Sequence, residues 1–216
     1  MPRAVLLLTC VLAALLVEGE ALSCVECTSN IYCSTPSITC PTPTDICYTK
    51  YTETTSDGVL KKEYVRGCGQ YSDKCGKVQS MTAPYIEIRG NSTCCTTDNC
   101  NPGQPTVPTT GTTLNGVTCR TCLSLTSTYC YTADTMKCQG IQTMCAFYGI
   151  RTRGITNSDI AFRGCASPDF CFIGTFSSTV NGSTSDGVMG CSNGAIRPEH
   201  GLFFTVFTLL LLKLLH

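Results

Sequence analysis

The chain contains no tryptophan and only two histidines, and its charge is sparse: 14% of its 216 residues are charged, with 15 Lys/Arg against 15 Asp/Glu. Each scarcity removes a class of function. Both histidines, His200 and His216, lie close to the C-terminal end, so the body of the chain has no imidazole for Ser-His or Cys-His nucleophilic catalysis, or for a His-based zinc site. The charge is also balanced locally. Residues 22–101 carry seven Lys/Arg and eight Asp/Glu, and residues 118–192 carry five and four. That leaves no basic footprint for nucleic acid or a strongly acidic membrane surface. No segment keeps an apolar period of 3.6 over three turns, and no glycine-rich phosphate loop is present.

Cysteine, by contrast, is abundant, at 19 residues. Apart from Cys10 they form two series. The first is Cys24, Cys27, Cys33, Cys40, Cys47, Cys68, Cys75, Cys94, Cys95 and Cys100; the second is Cys119, Cys122, Cys130, Cys138, Cys145, Cys165, Cys171 and Cys191. Successive gaps over the first eight are 3, 6, 7, 7, 21, 7 and 19 positions, against 3, 8, 8, 7, 20, 6 and 20 in the second series. Seven matched gaps identify an internal repeat: two copies of one small disulfide-held domain. Copies of this size bury too little apolar surface to rely on a hydrocarbon core, so cross-links must supply what burial cannot.

Within each copy the long cysteine-free stretches read as hairpins. Tyr48–Thr52 and Leu60–Arg66 are rich in Tyr, Thr and Val and flank Asp57-Gly58, a dipeptide suited to a tight turn with positive backbone dihedrals. The matching stretch runs from Ala146 to Gly164, with its turn expected near Asn157-Ser158-Asp159. A third hairpin is expected after Cys75 and after Cys171, the latter turning at Asn181-Gly182. The fold class is therefore all-β and disulfide-rich. Between the copies, residues 102–117 are rich in Pro and Thr, which predicts an extended, solvated spacer.

Both ends read as processing signals. Residues 1–21 open with Arg3, continue through an apolar run of about 13 residues, short of the ~20 needed to span a bilayer, and end in Gly19 and Ala21. Cleavage after Ala21 would leave Leu22 first and remove Cys10, giving an even 18 cysteines suited to an oxidising compartment. At the other end, Ser192 to Ala195 are small or polar, a short polar stretch follows, and Leu202–Leu215 are apolar. Small residues, spacer and apolar tail form the signal for a glycosylphosphatidylinositol (GPI) anchor. Because cleavage before Cys191 would leave an odd 17 cysteines, the attachment residue is expected at Ser192, Asn193 or Gly194. Asn193 is the assignment, with 194–216 removed. Asn91 and Asn181 head Asn-x-Ser/Thr triplets and are the expected glycosylation sites.

Leu22-Ser23-Cys24-Val25-Glu26-Cys27, Val65-Arg66-Gly67-Cys68 and Cys94-Cys95-Thr96-Thr97-Asp98-Asn99-Cys100-Asn101, repeated in part as Val117-Thr118-Cys119-Arg120-Thr121-Cys122 and Phe162-Arg163-Gly164-Cys165, resemble the lymphocyte-antigen-6/urokinase-receptor superfamily. The resemblance covers residues 22–192 and implies two tandem three-finger domains, 22–101 and 118–192. It also implies the pairing Cys24–Cys47, Cys27–Cys33, Cys40–Cys68, Cys75–Cys94 and Cys95–Cys100, then Cys119–Cys145, Cys122–Cys130, Cys138–Cys165 and Cys171–Cys191. The second copy departs from the family in lacking the final cysteine pair and the Asn after it, so a looser hub is expected there. Asn193 is the candidate substitute for that Asn.

With every cysteine bridged, no thiolate remains for catalysis. A zinc ribbon would need a second Cys-x-x-Cys about 15–20 residues on, and a thioredoxin-like site a βαβ setting, and neither is present. No enzyme and no cofactor are therefore expected. What remains is surface. The candidate ligand contacts are Tyr48, Tyr51 and Tyr64 in the first copy and Arg151, Arg153 and Arg163 in the second, set against the alternative that they cover a thin hub or form a solvated strand face. The expected function is a GPI-anchored cell-surface module that binds an extracellular protein. The alternative is a soluble inhibitor of an extracellular enzyme resembling the gamma-type phospholipase inhibitors, which also carry two three-finger domains. Peptide mapping of the secreted product under non-reducing conditions is expected to find an N-terminus at Leu22 and no free thiol; several alkylatable cysteines would contradict this reading.

Overall fold

A computed structural model describes residues 21–33, 35–43, 45–172, 174–180 and 182–193. The expected leader, the tail beyond Asn193 and the sequon residue Asn181 lie outside the described residues. The chain divides into two compact units, residues 1–78 with 88–108, and residues 79–87 with 109–216.

The first unit contains β1 (Ser23–Val25), β2 (Cys27–Ser29), β3 (Ser37–Thr39), β4 (Ile46–Ser56) and β5 (Val59–Gly69). After one helical turn at Tyr71–Lys74 and a strand β6 (Gln79–Ala83) that falls in the other unit, β7 (Ile86–Cys95) enters the first unit from Ile88 onward. β1 pairs antiparallel with β3. β4 and β5 form an antiparallel hairpin from Ile46↔Gly69 out to Ser56↔Val59, with β7 beside β4 and β2 on the outer edge of β5. The hairpin closes in two residues, Asp57 at φ 49° and Gly58 at φ 78°. Two consecutive positive φ values match the twist of the flanking strands, and Gly accepts them at no steric cost.

The core of this unit is sulfur. Bridges join Cys24–Cys47, Cys27–Cys33, Cys40–Cys68, Cys75–Cys94 and Cys95–Cys100. Cys24, Cys40 and Cys47 are buried together, packed by Leu22, Cys68, Cys95 and Cys100. Cys24 Sγ lies 3.2 Å from Cys40 Sγ, a contact between two different bridges. The loop closed by Cys95–Cys100 turns the chain back, with Asn99 at φ 55°, and delivers Asn101 into the hub. The Asn101 carboxamide donates to the carbonyls of Val25 (3.1 Å) and Tyr48 (3.0 Å) and accepts the Val25 N–H (2.7 Å).

Residues 102–106, expected to be a solvated spacer, are tied to the first unit by hydrogen bonds while Gly103, Gln104 and Thr106 stay exposed. The Pro102 carbonyl accepts from the Thr49 hydroxyl at 2.6 Å, Gln104 Oε1 accepts from the Tyr64 hydroxyl at 2.8 Å, and the Thr106 carbonyl accepts from Asn91 Nδ2 at 3.0 Å. An extended proline-rich chain leaves its carbonyls without ladder partners, so side chains on the hairpin can claim them.

The second unit contains β8 (Leu114–Arg120), β9 (Cys122–Ser124), β10 (Thr135–Gln139), β11 (Met144–Gly154), β12 (Ser158–Ala166), a 3₁₀ turn (Pro168–Phe172), β13 (Thr175–Val180) and β14 (Ser183–Asn193). β8 pairs with β10. The main sheet runs β13-β14-β11-β12-β6, with β9 also on β12. The β11–β12 turn falls at 155–157, earlier than expected, because Ser158 already pairs with Thr152. Bridges join Cys119–Cys145, Cys122–Cys130, Cys138–Cys165 and Cys171–Cys191, with Cys119, Cys138 and Cys165 forming a second sulfur core. β6 enters this unit through Thr82↔Cys165 and Met81↔Ala166, and Met81 is fully buried. A Cβ at Gly164 would sit 1.9 Å from the Thr82 carbonyl oxygen, so only glycine admits this strand. Gln142 locks it by donating to the Ser80 and Thr82 hydroxyls at 2.9 and 2.8 Å.

Asn101→Ala would orphan one part-buried N–H and two part-buried carbonyls at once. Such groups cost about 1–3 kcal/mol apiece when left unpaired, and partial solvation makes about 2–4 kcal/mol the expected total. Urea unfolding of the oxidised protein measures it; a loss below about 0.5 kcal/mol would show that the carboxamide does not hold the hub.

Candidate functional site

Along β11 the side chains alternate between faces, as pleating requires. Tyr148 faces an aromatic cluster, its ring 5.0 Å from Phe162, 6.3 Å from Phe170 and 5.9 Å from Phe176. Phe147, Arg151 and Arg153 share the opposite face with Asp159 and Arg163 of β12, since Phe147 pairs with Arg163 and Arg151 with Asp159.

The arginines on this face have different roles. Arg153 makes a two-pronged contact with Asp159, Nη1 to Oδ1 at 2.6 Å and Nη2 to Oδ2 at 3.0 Å, and Arg151 Nε lies 3.7 Å from the same carboxylate. Hydrogen bonding from Arg153, opposed in part by desolvation and helped by the charges of Arg153 and Arg151, holds the Asp159 carboxyl below its ordinary value. Arg163 lies deeper. Its Nε donates to the Cys130 carbonyl at 2.9 Å, and its guanidinium sits 4.6 Å from the Phe147 ring centre and 5.1 Å from that of Tyr129. Arg66 performs the same task in the first unit, donating Nη1 to the Cys33 carbonyl at 2.6 Å and lying 4.7 Å from the Tyr32 ring. In both copies a strand arginine fastens the first finger by the residue that closes its small loop. Arg163 is thus a fastening residue as well as a surface one.

The three tyrosines expected as ligand contacts need correction. Tyr51 and Tyr64 are 1% and 7% exposed. They form a cross-strand pair with ring centres 4.7 Å apart, and their hydroxyls are spent on Glu53 and Gln104, each at 2.8 Å. Burial, followed by the Glu53 hydrogen bond, raises the Tyr51 phenol well above its ordinary value. Tyr48 is half-buried, and Lys74 Nζ lies 5.5 Å from its ring. These rings brace the hub.

Large exposed hydrophobic side chains occur on the first fingers, which sequence reasoning passed over: Ile31 and Tyr32 in the first unit, and Leu125, Tyr129 and Tyr131 in the second. The available signal was the repeated Tyr-Cys, Tyr32-Cys33 and Tyr129-Cys130, an aromatic residue in a short polar loop. In the second unit they gather with arginine. Arg120 lies 5.2 Å from the Tyr131 ring and donates to the Thr132 carbonyl at 3.0 Å. Beside them opens a cavity of about 410 Å³, lined by Arg120, Phe147, Arg163, Gly190, Ser192 and Asn193 among others. Tyr and Arg are the residue types that dominate interface energetics. The sulfur trios Cys24/Cys40/Cys68 and Cys119/Cys138/Cys165 lie close enough together to suggest a metal site, yet each sulfur is already bridged and has no thiolate to offer.

The u-PAR/Ly-6 domain model matches residues 20–103 and again 115–189. The chain belongs to the u-PAR/Ly-6 family. A phospholipase A2 inhibitor gamma subunit from Elaphe quadrivirgata is 30% identical over 173 residues, covering 78% of this chain and 85% of that protein, and its counterpart from Elaphe climacophora matches to the same extent. Among solved structures, mouse TEX101 is 19% identical, with coverage of 74% of this chain and 87% of that one and a TM-score of 0.33. u-PAR/Ly-6 domains are protein-binding modules of extracellular and surface proteins.

The depressed Asp159 value fixes the sign of a pH effect. The contact with Arg153 is fully present above the ordinary carboxylate value of 3.8 and is lost as pH falls through the lower folded value. A carboxyl carbon titration by NMR is expected to give a midpoint below 3.8 for Asp159, moving upward in Arg153→Gln; a midpoint at or above 3.8 would mean that the pair is not formed in solution.

Proposed function

We propose that this protein is a GPI-anchored, non-catalytic module of the outer cell surface that binds another extracellular protein through the first finger and central hairpin of its second copy. The observation carrying the reading is the exposed Tyr129 and Tyr131, each against an arginine, Arg163 and Arg120, on a first finger that also exposes Leu125. Large rigid aromatics and planar guanidinium groups yield the most binding energy per side chain ordered. Family membership supports protein binding as the task. The anchor rests on the tail sequence, with Asn193, exposed at the end of β14, as the acceptor. Under this reading residues 1–21 and 194–216 are removed, the domains 22–101 and 118–192 draw in the two ends of the expected 102–117 linker, as hydrogen-bonded residues 102–106 and as β8 from Leu114, and glycans occupy Asn91 and Asn181.

A second reading, soluble inhibition of an extracellular enzyme, is favoured by the 30% identity to the Elaphe phospholipase A2 inhibitors over 85% of their length. Phosphatidylinositol-specific phospholipase C separates the two. Under the anchored reading, treatment sheds the protein from expressing cells, with a C-terminal peptide ending at an ethanolamine-modified Asn193. Protein recovered from untreated medium with Leu202–His216 intact would reject the anchor and favour the inhibitor. In a cell-surface binding screen, Leu125→Ala with Tyr131→Ala is expected to weaken capture at least tenfold; unchanged capture would move the binding surface elsewhere.

A further inference from the structure

The two copies close their hubs differently, and the difference leaves a seat open. In the first unit Asn101 fills a place formed by Val25, Tyr48 and Arg66. Its carboxamide is bound by the Val25 N–H and the Val25 and Tyr48 carbonyls, and its own carbonyl accepts from Arg66 Nη2 at 2.9 Å. Matching the bridges Cys24–Cys47 and Cys119–Cys145, and Cys68 with Cys165, sets Arg120, Ala146 and Arg163 at those three positions. All three line the 410 Å³ cavity.

Asn193 does not occupy it in the way Asn101 does. Cys191 corresponds to Cys94, but instead of turning back, β14 runs on, with Ser192 opposite Cys145 and Asn193 opposite Met144. The missing Cys-Cys loop is the missing return.

The chemistry of the open seat differs from that of the filled one. Arg66 spends Nη1 on Cys33 and Nη2 on Asn101. Arg163 spends only Nε, on Cys130, so its Nη1 and Nη2 have no hydrogen-bond partner among the described residues. Phe147 and Tyr129 pack against the group, with their ring centres 4.6 and 5.1 Å from its central carbon. Among the described residues no Asp or Glu lines the cavity, while Arg120 adds a second positive charge to its wall. A guanidinium packed against two rings, anchored through Nε and lining a cavity with both Nη groups unpartnered among the described residues, is held in place to offer paired donors to the two oxygens of a carboxylate.

We propose that this cavity is a carboxylate-binding site, taking an acidic side chain or a terminal carboxylate of an extended partner peptide. The anion accepts two hydrogen bonds from Nη1 and Nη2 of Arg163, and Arg120 supplies further positive charge. The proposal deepens the protein-binding reading and rests on it, by naming the chemistry that the partner presents.

Gly190 provides a direct test. It pairs with Phe147, which pairs with Arg163, in one row across the sheet, and a Cβ added there meets nothing within 4 Å. Gly190→Leu therefore fills the cavity without crowding the strand. The full chain, expressed in mammalian cells and purified in detergent, is titrated by fluorescence polarisation with three labelled peptides: Gly-Ser-Glu-Ser-Gly-amide, its Gln counterpart, and Gly-Ser-Ser-Ser-Gly with a free C-terminus. At least one carboxylate peptide is expected to bind tenfold or more tightly than the Gln peptide, and to lose that preference in Gly190→Leu and in Arg120→Gln. Which carboxylate peptide binds identifies side chain or chain end as the source. Equal binding of all three, or a preference that survives Gly190→Leu, overturns the proposal. If the chain's own residues beyond Asn193 fill the seat, the preference is absent from the full chain and this proposal fails. Capture of a surface partner that is indifferent to Gly190→Leu would sink the carboxylate site while leaving the protein-binding reading intact.

Discussion

Each unit depends on contact between two disulfides. In the first, Cys24–Cys47 and Cys40–Cys68 pack with sulfurs of different bridges 3.2 Å apart; in the second, Cys119–Cys145 and Cys138–Cys165 pack at 3.3 Å. A core this small excludes little water, and the loops that it closes must be held by covalent constraint rather than by apolar area. The fingers inherit their rigidity from it. Strands β4 and β5 extend to the Asp57-Gly58 turn, yet the paired cysteines Cys47 and Cys68 fix their register at the hub.

Around that hub, polar groups take the part that hydrocarbon plays in larger domains. A strand arginine reaches a carbonyl of the first finger in each copy, and tyrosine or phenylalanine rings hold the guanidinium. In the first copy the arrangement is completed by Asn101, which knits β1, β4 and the arginine into one network. Without that residue the second copy keeps the fastening and exposes the remaining donors, turning an internal contact into a surface that another molecule can use.

The sequence made the parts that depend on local chemistry legible. The cysteine spacing revealed the repeat, and Asp57-Gly58 with its Tyr-, Thr- and Val-rich flanks revealed the longest finger. What it left obscure depends on distant neighbours. Tyr51 and Tyr64 have the composition of exposed anchors, and only their packing on each other, with Tyr32 and Gln104 brought in from distant positions to meet Tyr64, shows that they are covered. Arg163 reads as one of three arginines on a strand until the Cys130 carbonyl, 33 positions away, is found beneath it. The insertion of residues 79–83 into the second unit likewise has no local signal beyond Gly164, whose missing side chain is explained only by the Thr82 carbonyl that takes its place.

The straight course of β14 has a mechanical consequence. Its eleven residues pair with β11 from Ser183 opposite Gly154 to Asn193 opposite Met144. Tension applied beyond Asn193 is therefore shared by many ladder bonds in shear instead of peeling them one at a time. The Cys171–Cys191 bridge stands two residues from the point of load. By joining this end of β14 to the 3₁₀ turn, the bridge keeps the ladder from opening inward past Cys191.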